Sequence, residues 1–436
     1  MPVDSTPMDG RWEGAINIGS TQLDIIVKFD SSTGALAATI DIPQQGAIDL
    51  PLDQVSLDGE AVHFAIGSVG AEFDGTLDGE TIRGDFAQAG ATGTFELARA
   101  GDLAAATPTP DLPYSVEEIT WALDDTTMAA TLTLPEGDGP FPAVVFVAGS
   151  GPTDRNWNSP LLPGRNGSAA LLADELTRAG YATLRYDKRF TGPFAQENMP
   201  KLLGNVSFQS HLDELASAVD TLAAQPDVDP AQIFVLANSE GTLHALNYQT
   251  SGPAIPFAGL ILTGAPGRPM TDVLHQQISE NVLAAEPNRD ELLALWDEAI
   301  AAFLAGERAA LDPALPAGVQ QVWAGLTAPA NQPFSAELLA AKPAGLLAAT
   351  AAPVLVLIGQ KDIQIDWQAD GAVLEAAAGD NVTFSYPPNA NHVLKLEEKP
   401  ADELTAADGA TYNAPDRVLD PETVQIILDW LAEQTS

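Results

Sequence analysis

Hydrophobic and polar residues alternate along the first hundred residues of the chain. The runs 23–29 and 62–66 both follow the two-residue period of a half-buried strand. Asp-Gly pairs at 58–59 and 78–79 lie between such runs, and this pair favours a hairpin turn. The pattern predicts about eight short strands within residues 1–100, arranged as an all-β, barrel-like domain.

The pattern changes after residues 101–114, which are rich in alanine and threonine, contain three prolines and predict a linker. Beyond it the apolar runs are continuous, as in strands that are buried on both faces. Helical patterns lie between these runs. Ser168 is a candidate N-cap for one helix, and Asp420, followed by Pro421, is a candidate N-cap for the last. The predicted strands are 144–147, 182–186, 233–236, 260–262, 354–358 and 382–386.

This alternation predicts an α/β fold over residues 115–436, with a doubly wound and mostly parallel sheet. Residues 271–349 interrupt it with an Ala- and Leu-rich helical pattern that prolines break. Because the segment lies between two core strands, we expect a helical cap over the functional site. A helical excursion without contact to the substrate is the alternative.

The charge balance excludes some partners. Lys and Arg total 19 against 60 Asp and Glu, which gives a formal net charge of −41. Such a charge repels phosphate backbones and anionic membrane surfaces, so neither nucleic acid nor an anionic membrane is expected as a partner. Hydrophobic residues make up 45% of the chain, which is ample for a core.

The absence of cysteine excludes disulfides, zinc–thiolate sites, iron–sulfur clusters and cysteine nucleophiles. No apolar run reaches about 18 residues, so no membrane span is predicted. The start has neither a basic nor an apolar segment, and no signal peptide is expected in this sequence. A cytoplasmic location and secretion after trimming both stay open, as does the oligomeric state.

Residues 233–244 combine a buried strand, a tight turn and the start of a helix. The turn, 237–241, reads Ala-Asn-Ser-Glu-Gly and matches the nucleophile elbow Gly-x-Ser-x-Gly except in its first position. Such a turn raises the Ser239 hydroxyl above the sheet, at a helix N-terminus that favours negative charge. Ser239 is therefore the candidate nucleophile. An ordinary N-cap serine is the alternative.

A serine nucleophile requires a base and an acid. Of the five histidines, His392 lies in the loop after the last core strand, where the base of such a sheet is expected. Asp362 follows the strand 354–358 and is the candidate acid, with Asp366 in reserve. The chain order Ser239, Asp362, His392 is the order found in α/β-hydrolases.

The loop after strand 144–147 contains Gly149 and Gly151, which let the backbone turn toward the site. We assign the oxyanion hole to the backbone N–H groups of Ser150 and Glu240. A phosphate-binding loop is the rival interpretation, but neither Gly-Lys-Ser/Thr nor Gly-x-Gly-x-x-Gly is present. No metal and no organic cofactor is expected.

Together these motifs resemble the α/β-hydrolase superfamily over residues 115–436. They are most similar to a carboxylesterase branch that couples an N-terminal β-barrel-like domain to a capped hydrolase and is related to prolyl-aminopeptidase-type serine hydrolases. Ala237 and Asn238 depart from that branch, where Gly-His usually precedes the serine. The matching segments are Gly149-Ser-Gly-Pro-Thr-Asp-Arg-Asn, Arg185-Tyr-Asp-Lys-Arg, Asn238-Ser-Glu-Gly, Gly264-Ala-Pro-Gly-Arg-Pro, Gly359-Gln-Lys-Asp-Ile-Gln and Asn391-His.

The sequence therefore predicts a serine carboxylesterase that acts on short- to medium-chain acyl esters through an acyl-enzyme. An aminopeptidase or amidase of the same superfamily is the first alternative, and a binding protein on an inactive hydrolase scaffold is the second. An aminopeptidase requires an acidic anchor for the free amine of its substrate. The segment 271–349 offers Glu280, Glu286, Asp290, Glu291, Asp297 and Glu298.

Overall fold

The computed structural model describes residues 6–18, 21–31, 36–42, 47–67, 70–88, 91–99, 112–159, 165–307, 311–414 and 417–435. The chain divides into two compact units, one that runs to Leu112 and one that begins at Pro113. The proposed boundaries 1–100, 101–114 and 115–436 stay predictions, and most of the linker lies outside the described residues. None of the described helices is both long and apolar enough to span a bilayer.

The first unit is a curled antiparallel sheet, which confirms the predicted all-β class. The described residues form nine strands, in the order β4-β3-β2-β1-β9-β8-β7-β6-β5 across the sheet. These strands are β1 (Gly10–Ile18), β2 (Thr21–Asp30), β3 (Ala37–Ile42), β4 (Ala47–Pro51), β5 (Gln54–Asp58), β6 (Ala61–Ile66), β7 (Ala71–Asp78), β8 (Thr81–Gln88) and β9 (Ala91–Arg99). Gly59 and Gly79 have φ of +62° and +60° in the two predicted Asp-Gly turns.

Alternating apolar side chains fill the concave face of this sheet. Phe64 and Phe73 stack with ring centroids 4.5 Å apart, and Phe95 contacts both rings. The two edge strands, β4 and β5, are consecutive in the chain. The residues that connect them bond to the strands next to the edges, because the Leu52 N–H donates to the Ala38 carbonyl and the Asp53 N–H to the Ala65 carbonyl. Residues 52 and 53 therefore link the two sides of the curled sheet at the point where β4 leads into β5.

The second unit contains a mostly parallel sheet with helices between its strands, as predicted, and the described residues form eight strands. The strands are β10 (Tyr114–Leu123), β11 (Thr126–Pro135), β12 (Phe141–Val147), β13 (Ala182–Tyr186), β14 (Val228–Asn238), β15 (Gly259–Thr263), β16 (Val354–Leu357) and β17 (Val382–Ser385). Their order is β10-β11-β13-β12-β14-β15-β16-β17; β10, β11 and β13 are joined by antiparallel pairing and the others by parallel pairing. The antiparallel hairpin β10–β11 is absent from the strands predicted above.

Of the two N-caps predicted for the helices of this unit, one is correct and one is wrong. They are α1 (Ser168–Arg178), α2 (Ala195–Leu202), α3 (Phe208–Ala223), α4 (Glu240–Thr250), α5 (Met270–Gln277), α6 (Arg289–Leu304), α7 (Ala317–Thr327), α8 (Phe334–Ala340), α9 (Pro343–Ala348), α10 (Ala369–Ala377) and α11 (Pro421–Gln434). Asp420 caps α11 as predicted, with its carboxylate accepting from the Thr423 N–H at 2.9 Å. The prediction for Ser168 was wrong, because its hydroxyl donates to Asn166 and Gly167 precedes the helix at φ +68°.

Helices α5–α9 form an insertion between β15 and β16, so the predicted helical character of residues 271–349 is correct. The insertion has an apolar core of its own. Trp296 and Trp323 pack edge to face within it, with ring centroids 6.0 Å apart. These two tryptophans serve packing inside the insertion. Whether the insertion covers the functional site stays a prediction.

Candidate active site

Ser239 occupies the tight turn between β14 and α4. Its backbone has φ +54° and ψ −124°, a conformation that costs free energy in any residue with a side chain. Such a conformation persists only where the surrounding structure holds the backbone in place. The Ser239 N–H donates to the Thr263 carbonyl at 2.9 Å, which ties the turn to β15. Gly241 is required next, because a Cβ there would lie 2.7 Å from the carbonyl oxygens of Val147 and Ala148. The side chain of Ser239 is partly exposed.

His392 and Asp362 form a hydrogen-bonded pair at the carboxyl ends of the strands. The Nδ1 atom of His392 lies 2.8 Å from Oδ2 of Asp362, and both side chains are buried. The other carboxylate oxygen accepts from the N–H groups of Gln364 and Ile365, so the carboxylate is fixed on both sides. Asp366, the reserve acid, instead accepts two N–H groups at the start of α10.

Within the described residues, no hydrogen bond joins the Ser239 hydroxyl to the His392 ring. The two residues are connected through Asn238, whose Nδ2 donates to the His392 carbonyl at 3.0 Å and lies 3.2 Å from the Thr263 hydroxyl. The sequence marked Asn238 only as a departure from the family pattern.

Gly264 packs against the histidine–aspartate pair, at φ +52°. A Cβ there would lie 3.1 Å from Cε1 and Nδ1 of His392 and 3.3 Å from Oδ2 of Asp362. Both the backbone conformation and the space therefore favour glycine at this position. Gly264 lies in one of the segments that resemble the family, but nothing in the sequence alone indicated why a glycine is needed there.

The loop after β12 lies beside the nucleophile candidate. A Cβ on Gly149 would be 3.2 Å from the Cβ of Ser239, so the two backbones approach closely. Across the part of the chain that the structure describes, neither the Ser150 N–H nor the Glu240 N–H donates to a protein acceptor. Arg155, in the same loop, forms an ion pair with Asp187 at 2.6 Å.

Lys188 is buried beneath this loop. Its Nζ lies 2.5 Å from the Gly149 carbonyl oxygen, 3.2 Å from that of Gly151 and 3.5 Å from Oε1 of Glu240. The neighbouring Arg189 pairs with Glu214 at 3.0 Å. The sequence marked residues 187–189 as part of a segment that resembles the family, and each of the three is in an ion pair. It did not indicate that Lys188 reaches the loop.

His211, Glu240 and His244 are buried together, each with one potential ligand atom within 4.8 Å of the others. Burial would raise the pKa of Glu240, but Lys188 and His244 outweigh burial and hold this pKa well below its usual range. Burial lowers the pKa of His244 to about 4, although Glu240 opposes that shift. His244 is therefore neutral at neutral pH.

Among the described residues, these three have the arrangement most like that of a metal site, but we assign no metal to them. Lys188 already balances the charge of Glu240, and Arg189 balances that of Glu214. A divalent cation would leave two positive charges unmatched in a buried place, which is costly.

A strained serine between strand and helix, with a histidine–aspartate pair beside it on a mostly parallel sheet, defines the class of α/β-hydrolases. The family model "Alpha/beta hydrolase family" matches residues 144–407, and the chain belongs to this family. Esterase EstD of Thermotoga maritima is 25% identical over 289 residues, which make up 65% of this chain and 63% of that relative. The chain thus matches less than two thirds of the relative's own length.

The chain is also similar to solved structures. Proline iminopeptidase of Mycobacterium smegmatis has a TM-score of 0.43 and 15% identity, and covers 73% of this chain and 98% of its own. Est1E of Butyrivibrio proteoclasticus has a TM-score of 0.41 and 13% identity, with the same two coverages.

Proposed function

We propose that the chain is a serine carboxylesterase that hydrolyses short- to medium-chain acyl esters through an acyl-enzyme intermediate. The observation that carries the proposal is the strained backbone of Ser239, at φ +54°, beside the His392–Asp362 pair. Strain of this kind is retained where function requires it. The similarity to an esterase supports an ester as the substrate.

In the proposed reaction, the Ser239 oxygen attacks the ester carbonyl while Nε2 of His392 takes the hydroxyl proton. The tetrahedral intermediate collapses, and His392 returns that proton to the leaving alcohol. Water, deprotonated by His392, then hydrolyses the acyl-enzyme and regenerates the serine. Asp362 holds the Nδ1–H of the ring, which keeps Nε2 free to accept, and stabilises the charged imidazolium.

The oxyanion of the tetrahedral intermediate requires donors that are already in place. The N–H groups of Ser150 and Glu240 are the candidates, because each lacks a protein acceptor in the described structure and each flanks Ser239. Glu240 is also the first residue of α4, so the helix dipole adds to the stabilisation of negative charge. No step of this mechanism calls on a metal or an organic cofactor.

The alternative of an aminopeptidase has one specific observation in its favour. A cavity of about 260 Å³ lies between the insertion and the loop after β16, and both Glu280 and Asp366 line it. Two carboxylates in one cavity can pair with a protonated amine. Asp362 lines the same cavity, which places the anchor close to the proposed acid.

The discriminating experiment compares a series of chromogenic esters of increasing acyl length with amino-acid anilides, for the wild type and Ser239→Ala. We expect ester turnover that the substitution abolishes while the unfolding transition is unchanged. Turnover of anilides above that of esters, reduced by Glu280→Gln, would favour the aminopeptidase. Equal ester turnover in the wild type and Ser239→Ala would refute the serine mechanism.

The choice of acyl group is proposed to reside in the insertion, α5–α9. Such insertions lie above the carboxyl ends of parallel strands, where Ser239 is placed. Substitutions in the insertion should therefore change the ratio of short- to medium-chain activity. Substitutions in the core of the first unit should change its stability instead.

A further inference from the structure

Lys188 is a buried cation that the proposed mechanism does not use. Its side chain is only 5% exposed, and its three possible donors face two backbone carbonyls and one carboxylate. The carbonyls belong to Gly149 and Gly151, and the carboxylate belongs to Glu240. Lys188 thus contacts both segments that flank the nucleophile candidate.

The contact with Gly149 has a direct geometric consequence. The Gly149 carbonyl and the Ser150 N–H belong to one peptide unit, which is planar and trans, so the two groups point in opposite directions. Fixing the carbonyl on Lys188, at 2.5 Å, therefore fixes the direction of the Ser150 N–H. A charged donor on the carbonyl also polarises the amide and makes its N–H a stronger donor.

The contact with Glu240 acts on the second donor. Oε1 of Glu240 lies 3.5 Å from Nζ of Lys188 and 3.3 Å from Nε2 of His244, so the carboxylate is held from two sides. This holds residue 240 at the start of α4, directly after Ser239. The ammonium group of Lys188 therefore contacts both segments that carry the proposed oxyanion donors, the N–H groups of Ser150 and Glu240.

We propose that Lys188 is a positioning residue for the oxyanion hole, which it aligns through the Gly149 carbonyl and the Glu240 carboxylate. The inference rests on the proposed function. The competing explanation is that Lys188 only neutralises a buried glutamate. The two explanations differ in what happens when the charge of Glu240 is removed at the same time.

The experiment measures kcat, KM and unfolding for Lys188→Met, Glu240→Gln and the double variant, with an ester that the wild type hydrolyses. Inhibition by phenylboronic acid, whose serine adduct is tetrahedral, is measured in parallel. For Lys188→Met we expect kcat to fall by about 10- to 100-fold with KM within about threefold, somewhat less than the loss of one whole donor. The boronate inhibition constant should rise in proportion to the loss of kcat/KM.

Arg189→Met is the matched control, because its side chain is 6% exposed and it too leaves one buried carboxylate, Glu214, without its cation. We expect this variant to lose stability as Lys188→Met does, with kcat of the folded protein within twofold of the wild type. In the double variant Lys188→Met/Glu240→Gln, stability should recover because no buried charge is left unpaired, while kcat should stay low.

Recovery of kcat in the double variant to the level of Glu240→Gln alone would overturn the inference and leave charge neutralisation as the role of Lys188. Unchanged kcat in Lys188→Met, with turnover still dependent on Ser239, would also remove this inference and leave the proposed function standing. Equal rates for the wild type and Ser239→Ala would remove the proposed function and the inference together.

Discussion

Replacing Gly264 by alanine should impair turnover far more than it impairs folding. The added Cβ would lie 3.1 Å from the His392 ring, whereas carbon atoms pack best at about 3.5–4.0 Å. The ring would therefore shift by about half an ångström. A misplacement of 1 Å costs about 10²-fold in rate, so we expect a loss of about tenfold in kcat.

The same substitution also carries a backbone cost, which must be separated from the contact with the ring. An alanine at φ +52° is disfavoured by about 1–2 kcal/mol. Gly252 is a matched control, because its φ is +75° and a Cβ there would meet no atom within 4 Å. Gly252→Ala should lose a similar free energy of unfolding in urea while it keeps the wild-type kcat.

The assay is the initial rate of hydrolysis of a short-chain chromogenic ester at saturating concentration, for both variants, with urea unfolding monitored by tryptophan fluorescence. Two equally destabilised variants with the same kcat would show that the space beside the His392 ring is not limiting. The reasoning from Gly264 would then fail. A loss confined to Gly264→Ala would support it.

Further substitutions test other parts of the site. Asp362→Asn should lower kcat by about 10⁴-fold, because the ring loses its fixed tautomer, whereas Asp366→Asn should keep kcat within about twofold, as measured with the same ester. Asn238→Ala removes the bond to the His392 carbonyl, and kcat should fall by about tenfold with little change in KM. The pKa of His244 is lowered from 6.5 to about 4 in the folded protein. Between pH 6.5 and 4, this histidine is therefore protonated in the unfolded chain and neutral in the folded protein. His244 alone should therefore lower the unfolding free energy by up to about 3 kcal/mol as pH decreases from 6.5 to 4, and His244→Gln should reduce that slope in urea titrations.

The sequence predicted the parts of the fold that depend on local pattern. The parallel strands β12–β17 were recognised because continuous apolar runs identify strands that are buried on both faces. The edge strand β10 was missed because many of its side chains are exposed, so its pattern is weakly apolar. The N-cap of α1 was misassigned because Ser168 lies one position too late and bonds to Asn166 instead.

The sequence identified candidate residues for the site but not the contacts that support them. Residue type, order in the chain and the preceding strand were enough to propose three candidates, Ser239, Asp362 and His392. The contacts of Asn238 with His392 and of Lys188 with Gly149 join segments that are 154 and 39 residues apart in the chain. No local pattern carries such information, since it arises only when the strands are placed side by side.

The pairing of β1 with both β2 and β9 bears on how the first unit forms. Most of its strands pair with their neighbours in sequence, and such contacts form quickly because they close short loops. The β1–β9 ladder instead pairs residues 12–17 with residues 94–99, which are far apart in the chain. Closing that long loop has the largest entropic cost, so the β1–β9 ladder is expected to form last and to limit the folding rate. During synthesis, β1 can have its second partner only after the final strand has left the ribosome.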